Sequence, residues 1–177
     1  MAYILILLGA VLRVIPHPAN FAPIAAIALF GGTYLDRKQA LVLPLLAMII
    51  SDFFIGFDSW QTRLIVYGSF MIIGLIGLGI RNHKNVWTVL GGTLLGSILF
   101  FLITNLPFVH PVSLYPLTWA GTMQSYFNGL PFFKNTLLGD LFYVGVLFGT
   151  YELVGVYVKN YSSKGPYSLA RREGRRG

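Results

Sequence analysis

VWTVLGGTLLGSILFFLITN, residues 86–105, carries no charged side chain from end to end. A helix rises 1.5 Å per residue, so about 20 residues cover the ~30 Å hydrocarbon core of a bilayer. Backbone amides survive in lipid only when they are bonded within such a segment or a closed barrel. The stretch therefore reads as a transmembrane helix, and the rest of the chain is read outward from it.

The same signal repeats on both sides. Leu64–Ile80 has no charge, and neither has Val86–Pro131, although prolines interrupt its second half. Of the 177 residues, 55% are hydrophobic and 11% charged, where a soluble domain has about 25% charged. Six spans are expected: Ala2–Ile15, Ala22–Leu35, Ala40–Phe57, Arg63–Ile80, Val86–Asn105 and Asn135–Val158. The fold class is all-α, one integral membrane bundle over residues 1–158, followed by a basic tail, 159–177. The first two spans are short, and Pro16-His17-Pro18 places a turn between them. The first lacks the basic start of a signal peptide. Between the last two spans lies Leu106–Lys134, punctuated by Pro107, Pro111, Pro116 and Pro131. Thr118–Asn128 within it reads as a short helix in the membrane interface.

Charge sets the expected orientation. With a cytoplasmic N-terminus, the inner segments carry Arg37, Lys38, Arg81, Lys84, Lys159, Lys164, Arg171, Arg172, Arg175 and Arg176. The outer side keeps Arg13, Arg63 and Lys134. Basic residues concentrate on the cytoplasmic side, so both termini are expected inside, in the inner (cytoplasmic) membrane of a cell. The tail supplies most of this bias. The net charge of +7 thus reflects membrane orientation and calls for no nucleic acid. The absence of cysteine excludes disulfides and thiolate metal sites. His17 and His110, without acidic or cysteine partners, give no metal signal. No cofactor is expected.

Against this background one side chain stands out. LLAMIISDFFIGF, residues 45–57, holds Asp52 in the middle of an apolar helix. Asp52 lies 12 residues past Ala40, roughly 18 Å along the axis, in the outer half of the bilayer. Asp140, Arg13, His17, Asn20, Asn105 and Tyr67 fall at similar depth from other spans. Helical spacing groups Thr136, Asp140 and Tyr143, and separately Ser97, Thr104 and Asn105. Arg63 and Tyr67, four apart, share a face. Ionisable groups in lipid cost about 2.5–3.5 kcal/mol on insertion scales and turn toward an interior or a water-filled cavity. Arg13, His17, Asn20, Asp52, Tyr67, Asn105 and Asp140 are therefore the candidate ligand-binding residues of an outward-facing pocket, with Leu106–Lys134 as its lid. The plainer alternative is a set of buried tethers, Asp52 or Asp140 with Arg13, or Asp140 with Lys134.

Small residues mark close helix approach. Gly92 with Gly96, and Gly145 with Gly149, suit packing inside the bundle. Ala25, Ala28 and Gly32 form a small, flat face suited to close contact with a partner protein or with another helix. Trp60, Trp87 and Trp119 fall near the expected interfaces, as belt anchors do.

NFAPIAAIALFGGTYL (20–35), PLLAMIISDFFIGF (44–57), YGSF (67–70), GSILFFLITN (96–105) and LPFFKNTLLGDLFYVGVLFGTYE (130–152) together resemble a family of small bacterial membrane proteins of unknown function. The six-span layout is also similar to the substrate-binding S components of energy-coupling-factor transporters. That second likeness implies capture of a vitamin or metal in an outward pocket. It also implies docking on a transmembrane coupling subunit through an Ala-xxx-Ala pattern, which Ala22 and Ala26 match in spacing. The nickel and cobalt members begin Met-His-His, whereas this chain begins Met1-Ala2-Tyr3. No nucleotide-binding motif is present, so energy would come from partner ATPases. The expectation is a binding or transport subunit for a small molecule, and no enzyme. Two other classes stand beside it. One is a membrane scaffold or small channel, which needs no ligand, although an apolar inner half argues against an open aqueous pore. The other is an intramembrane aspartyl hydrolase using Asp52 and Asp140, for which Gly139-Asp140 is the only motif.

Overall fold

The computed structural model describes residues 1–109 and 114–164 and forms six α-helices in them. They are α1 (Ala2–Val14), α2 (Ile24–Tyr34), α3 (Arg37–Ile55), α4 (Trp60–Ile80), α5 (Val86–Thr104) and α6 (Trp119–Lys164), with single 3-10 turns at Arg81–His83 and Pro107–Val109. His110, Pro111 and the tail arginines Arg171, Arg172, Arg175 and Arg176 lie outside the described residues.

Local chemistry fixes the boundaries. Asn85 opens α5 with a capping box: its side chain accepts from the Thr88 amide at 3.0 Å, and its own amide donates to Thr88 Oγ1 at 2.9 Å. Both bonds satisfy amides that have no partner within the helix. Ser59 caps α4 by accepting from the Thr62 amide at 3.1 Å. Gly56 closes α3 with φ +105°, its amide donating to Asp52 O at 2.8 Å. A residue with a Cβ seldom takes that conformation.

The helices run alternately up and down. α1 ends, α2 begins, α3 ends, α4 begins and α5 ends at one end of the bundle, termed here the cavity end. The other end gathers Arg37, Lys38, Arg81 and Lys84 and is termed the basic end. Neighbouring pairs α1–α3, α3–α4, α4–α5 and α5–α6 form an arc, and α2 packs against all five other helices. Ten of the eleven residues of α2 are buried.

Four helices are long and apolar enough to cross a membrane: Arg37–Ile55, Trp60–His83, Val86–Thr104 and Trp119–Tyr161. The chain is a membrane protein by that measure. Large apolar side chains on their outer faces, such as Phe53, Leu64, Leu75 and Leu153, are exposed as lipid contact requires. Trp60, Trp87 and Trp119 are also exposed, each at or near the start of its helix. The 13-residue α1 and 11-residue α2 reach only about 20 and 17 Å, so neither matches a bilayer in length.

Expectations about the small residues and about the end of the chain are corrected. Of the two uses expected for Ala25, Ala28 and Gly32, docking a partner is overturned and close contact with another helix is what is seen. The three residues are buried within this chain, because α2 is enclosed on all sides. A Cβ on Gly32 would stand 2.2 Å from Gly74 O and 2.8 Å from Gly77 Cα. The α2–α4 crossing is thus backbone against backbone. Gly92 and Gly96 do pack inside, against Ile76 and Ile73. Gly145 and Gly149 do not, since a Cβ on either would meet nothing within 4 Å.

The second correction concerns the end of the chain. Thr118–Asn128 is not a separate interfacial helix. It opens α6, which continues for 46 residues through Pro131 and beyond Val158. A proline inside a helix loses one hydrogen bond and costs about 3 kcal/mol. Packing against α5 on both sides of Pro131 offsets it. Phe101 meets Tyr126 at 5.7 Å and Phe133 at 4.7 Å between ring centroids, and the Tyr126 hydroxyl donates to Leu102 O at 2.7 Å.

Candidate functional site

Arg13 lies in the last turn of α1 and points across to α3. Its Nη1 donates to Met48 O at 3.2 Å, to Asp52 Oδ1 at 2.5 Å and to Ser51 Oγ. The Tyr67 hydroxyl from α4 donates to the other oxygen of Asp52. Asp52 is 5% exposed, and both its oxygens are engaged inside the protein. One carboxylate therefore ties α1, α3 and α4 together. All three acceptors share the two hydrogens of Nη1, and Nε and Nη2 have no hydrogen bond among the described residues. Ser51 was not singled out from the sequence. Its only signal there is a hydroxyl beside Asp52 in an apolar helix.

Asp140 comes from α6 on the other side. It is 3% exposed and accepts from Ser97 Oγ of α5 at 2.6 Å. The single hydroxyl proton of Ser97 has a second acceptor, Thr93 O, at 3.0 Å. The other oxygen of Asp140 has no hydrogen bond among the described residues.

Between these groups lies a cavity of about 560 Å³. Arg13, His17, Asn20, Thr136 and Asp140 supply its polar wall. Most of the remainder is apolar, including Ile24, Val66, Phe70 and Phe100. Phe70 and Phe100 stack at 4.9 Å between centroids. The turn from α1 to α2 lies over one side through Ile15, Pro16, His17 and Asn20. Asn20 holds the left-handed conformation there, φ +61°, which asparagine tolerates better than most residues. His17 sets its two ring nitrogens against Pro18 O (3.0 Å) and Arg13 O (3.3 Å).

The site expected from sequence is thus sorted. Arg13, His17, Asn20 and Asp140 meet in one cavity. Asp52 and Tyr67 stand behind Arg13 and hold it. Asn105 lies elsewhere: it closes α5, its Nδ2 donates to Phe101 O at 2.9 Å, and its carbonyl accepts from Ser125 at 2.7 Å. Tyr143, which shares a face with Asp140 by spacing, meets the Phe21 ring at a tilt, 5.6 Å between centroids, instead. Arg63 covers the Phe57 ring at 4.7 Å. No described residue of Leu106–Lys134 lines the cavity; among the described residues its cover is the α1–α2 turn. Nor do Asp52 and Asp140 share a proton, since each has its own partners on different helices.

A second polar group sits at the basic end. Glu152 of α6 pairs with Lys84, and the Tyr34 hydroxyl donates to the same carboxylate oxygen at 2.5 Å. Lys84 also lies 4.5 Å from the centroid of the Tyr34 ring. Beside them runs an apolar groove of about 580 Å³ between α5 and α6, with Gly145 and Gly149 in its wall.

The model of a family of unknown function, DUF6580, matches residues 1–163. No curated protein and no solved structure matches the chain.

Proposed function

The chain belongs to the DUF6580 family, a family of unknown function, and from the geometry of its cavity we propose that it is a membrane-embedded subunit that binds a small molecule for transport. The observation that carries this reading is the meeting of Arg13 and Asp140, from the first and last helices, in one recess of about 560 Å³. Ligand sites are concave, mainly apolar and furnished with a few convergent polar groups, at about 300–1,000 Å³. A carboxylate with one oxygen free of protein partners and open to such a space favours a ligand over a tether.

In this proposal the cavity end faces outward, and both termini lie in the cytoplasm of a bacterial cell, in its inner membrane. The basic end then carries Arg37, Lys38, Arg81 and Lys84 on the side where positive residues concentrate. Energy comes from partner subunits, a transmembrane coupling protein and ATPases. Because the small face of α2 is enclosed, docking on them uses the outer helices. Reporter fusions after Lys84 and at Gly177 are expected to report the cytoplasm. A signal from the opposite side at either would reverse the cavity and remove it as a capture site.

Native mass spectrometry in mild detergent tests binding itself. Wild-type protein is expected to carry a small molecule through purification. Ala22→Trp, which places an indole in the cavity wall, is expected to release it. A wild-type spectrum without adducts, identical to that of the blocked variant after cell-extract incubation, would end the proposal.

A further inference from the structure

Hydrogen-bonding demand inside the cavity is unevenly met. Arg13 is neutralised by Asp52, whose two oxygens are both engaged. His17 faces two backbone carbonyls. Asp140 remains, buried and lining the cavity, with one oxygen on Ser97 and the other without a partner among the described residues. Neither of the two ion pairs among the described residues includes it. A buried carboxylate calls for a cation or several donors. An anionic ligand would reach Arg13 only by bringing a second negative charge toward Asp140.

We infer that the cavity selects an organic monocation, a molecule with one protonated nitrogen on a flat apolar body, whose N–H binds the free oxygen of Asp140. The apolar body lies against Phe70 and Phe100, whose ring faces also attract positive charge. Arg13 then contributes shape and a hydrogen-bond donor for any acceptor on the ligand, and Asp52 keeps it from repelling the incoming cation. Asp140 is the specificity residue of the site, and Asp52, the more conspicuous acid in the sequence, is a positioning residue. This inference rests on the reading of the cavity as a ligand site and adds the class of ligand.

Three probes of one shape and different charge test it: tryptamine, tryptophol and indole-3-propionate. Each is titrated calorimetrically into the full chain in mild detergent, with Ala22→Trp protein as the background for micelle partitioning. Tryptamine is expected to bind about tenfold more tightly than tryptophol, as a charge-assisted hydrogen bond exceeds a neutral one. Indole-3-propionate is expected to bind most weakly. Asp140→Asn is expected to bring tryptamine and tryptophol to the same affinity. The order of the three probes on the wild-type chain is read without that variant, should it fold poorly. If indole-3-propionate or tryptophol binds best, the monocation inference is wrong while the ligand site stands. If tryptamine keeps its advantage in Asp140→Asn, the inference is wrong in naming Asp140. If no probe exceeds the Ala22→Trp background, the inference is overturned, and the co-purified species seen by native mass spectrometry decides the binding reading independently.

Discussion

Gly32→Ala is expected to prevent the bundle from assembling. The added methyl would lie 2.2 Å from Gly74 O and 2.8 Å from Gly77 Cα. Both neighbours are backbone, so no rotamer change relieves the clash and the two helices must separate. α2 is buried on every side, and moving it disturbs its contacts with each other helix. Overpacking typically costs about 1–3 kcal/mol and occasionally more, and this position belongs at or above the top of that range. Gly77→Ala should act alike, since its methyl would stand 2.4 Å from Leu29 O. Gly79→Ala is the control. It adds the same methyl to the same helix with nothing within 4 Å, and alanine is the better helix former by about 1 kcal/mol. Melting in detergent should show Gly32→Ala and Gly77→Ala aggregated or strongly lowered and Gly79→Ala unchanged or raised. Equal melting of all three would mean that α2 and α4 do not cross at these glycines.

Removing Asp52 has the second large effect. Asp52→Ala leaves Arg13 mostly buried without its counter-ion and Tyr67 without its acceptor. Breaking one half of a buried pair costs about 3–5 kcal/mol, much of it the penalty of the charge left behind. Adding Arg13→Leu to Asp52→Ala removes that charge and should restore part of the loss. Asp52→Asn keeps an acceptor for Tyr67 and should be milder, with Arg13→Gln rescuing it in part. A double-mutant cycle read by thermal melting gives the coupling. Additive single effects would show that the two side chains do not support each other, and the tie from α1 to α3 and α4 would have to come from packing alone.

Much of this arrangement was legible from hydrophobic blocks. Val86–Asn105 was expected and α5 spans Val86–Thr104, because charge ends abruptly on one side and an amide on the other. α3 and α4 start three residues before their expected spans, at Arg37 and Trp60. Polar first turns are invisible to an apolar criterion, and the Ser59 cap of α4 is seen only in the structure. α6 was divided because four prolines were read as equal breaks. Pro131 lies within a helix that has α5 packed beside it on both sides of the proline. Depth alone brought Arg13, His17, Asn20 and Asp140 to one level, and the structure puts them in one cavity. Depth cannot tell which groups already have partners, so it ranked Asp52 with Asp140. Asn105 was misplaced because helical phase was carried onto a residue that caps the helix and has left its periodicity. The close α2–α4 crossing at Gly32 and Gly77 escaped because composition reveals small residues but not which helix they meet.

The length of α6 has a mechanical consequence. Its 46 residues measure about 69 Å, more than twice a hydrocarbon core. Asp140 sits near its middle, 24 residues before Lys164, or about 36 Å. A stiff rod held at its midpoint by Ser97 and α5 behaves as a lever. A small tilt where Asp140 is gripped becomes a larger sweep at the far tip, beyond Lys84 and Glu152. Under the function proposed above, occupancy of the recess would in this way be felt at the basic end without any helix having to unwind.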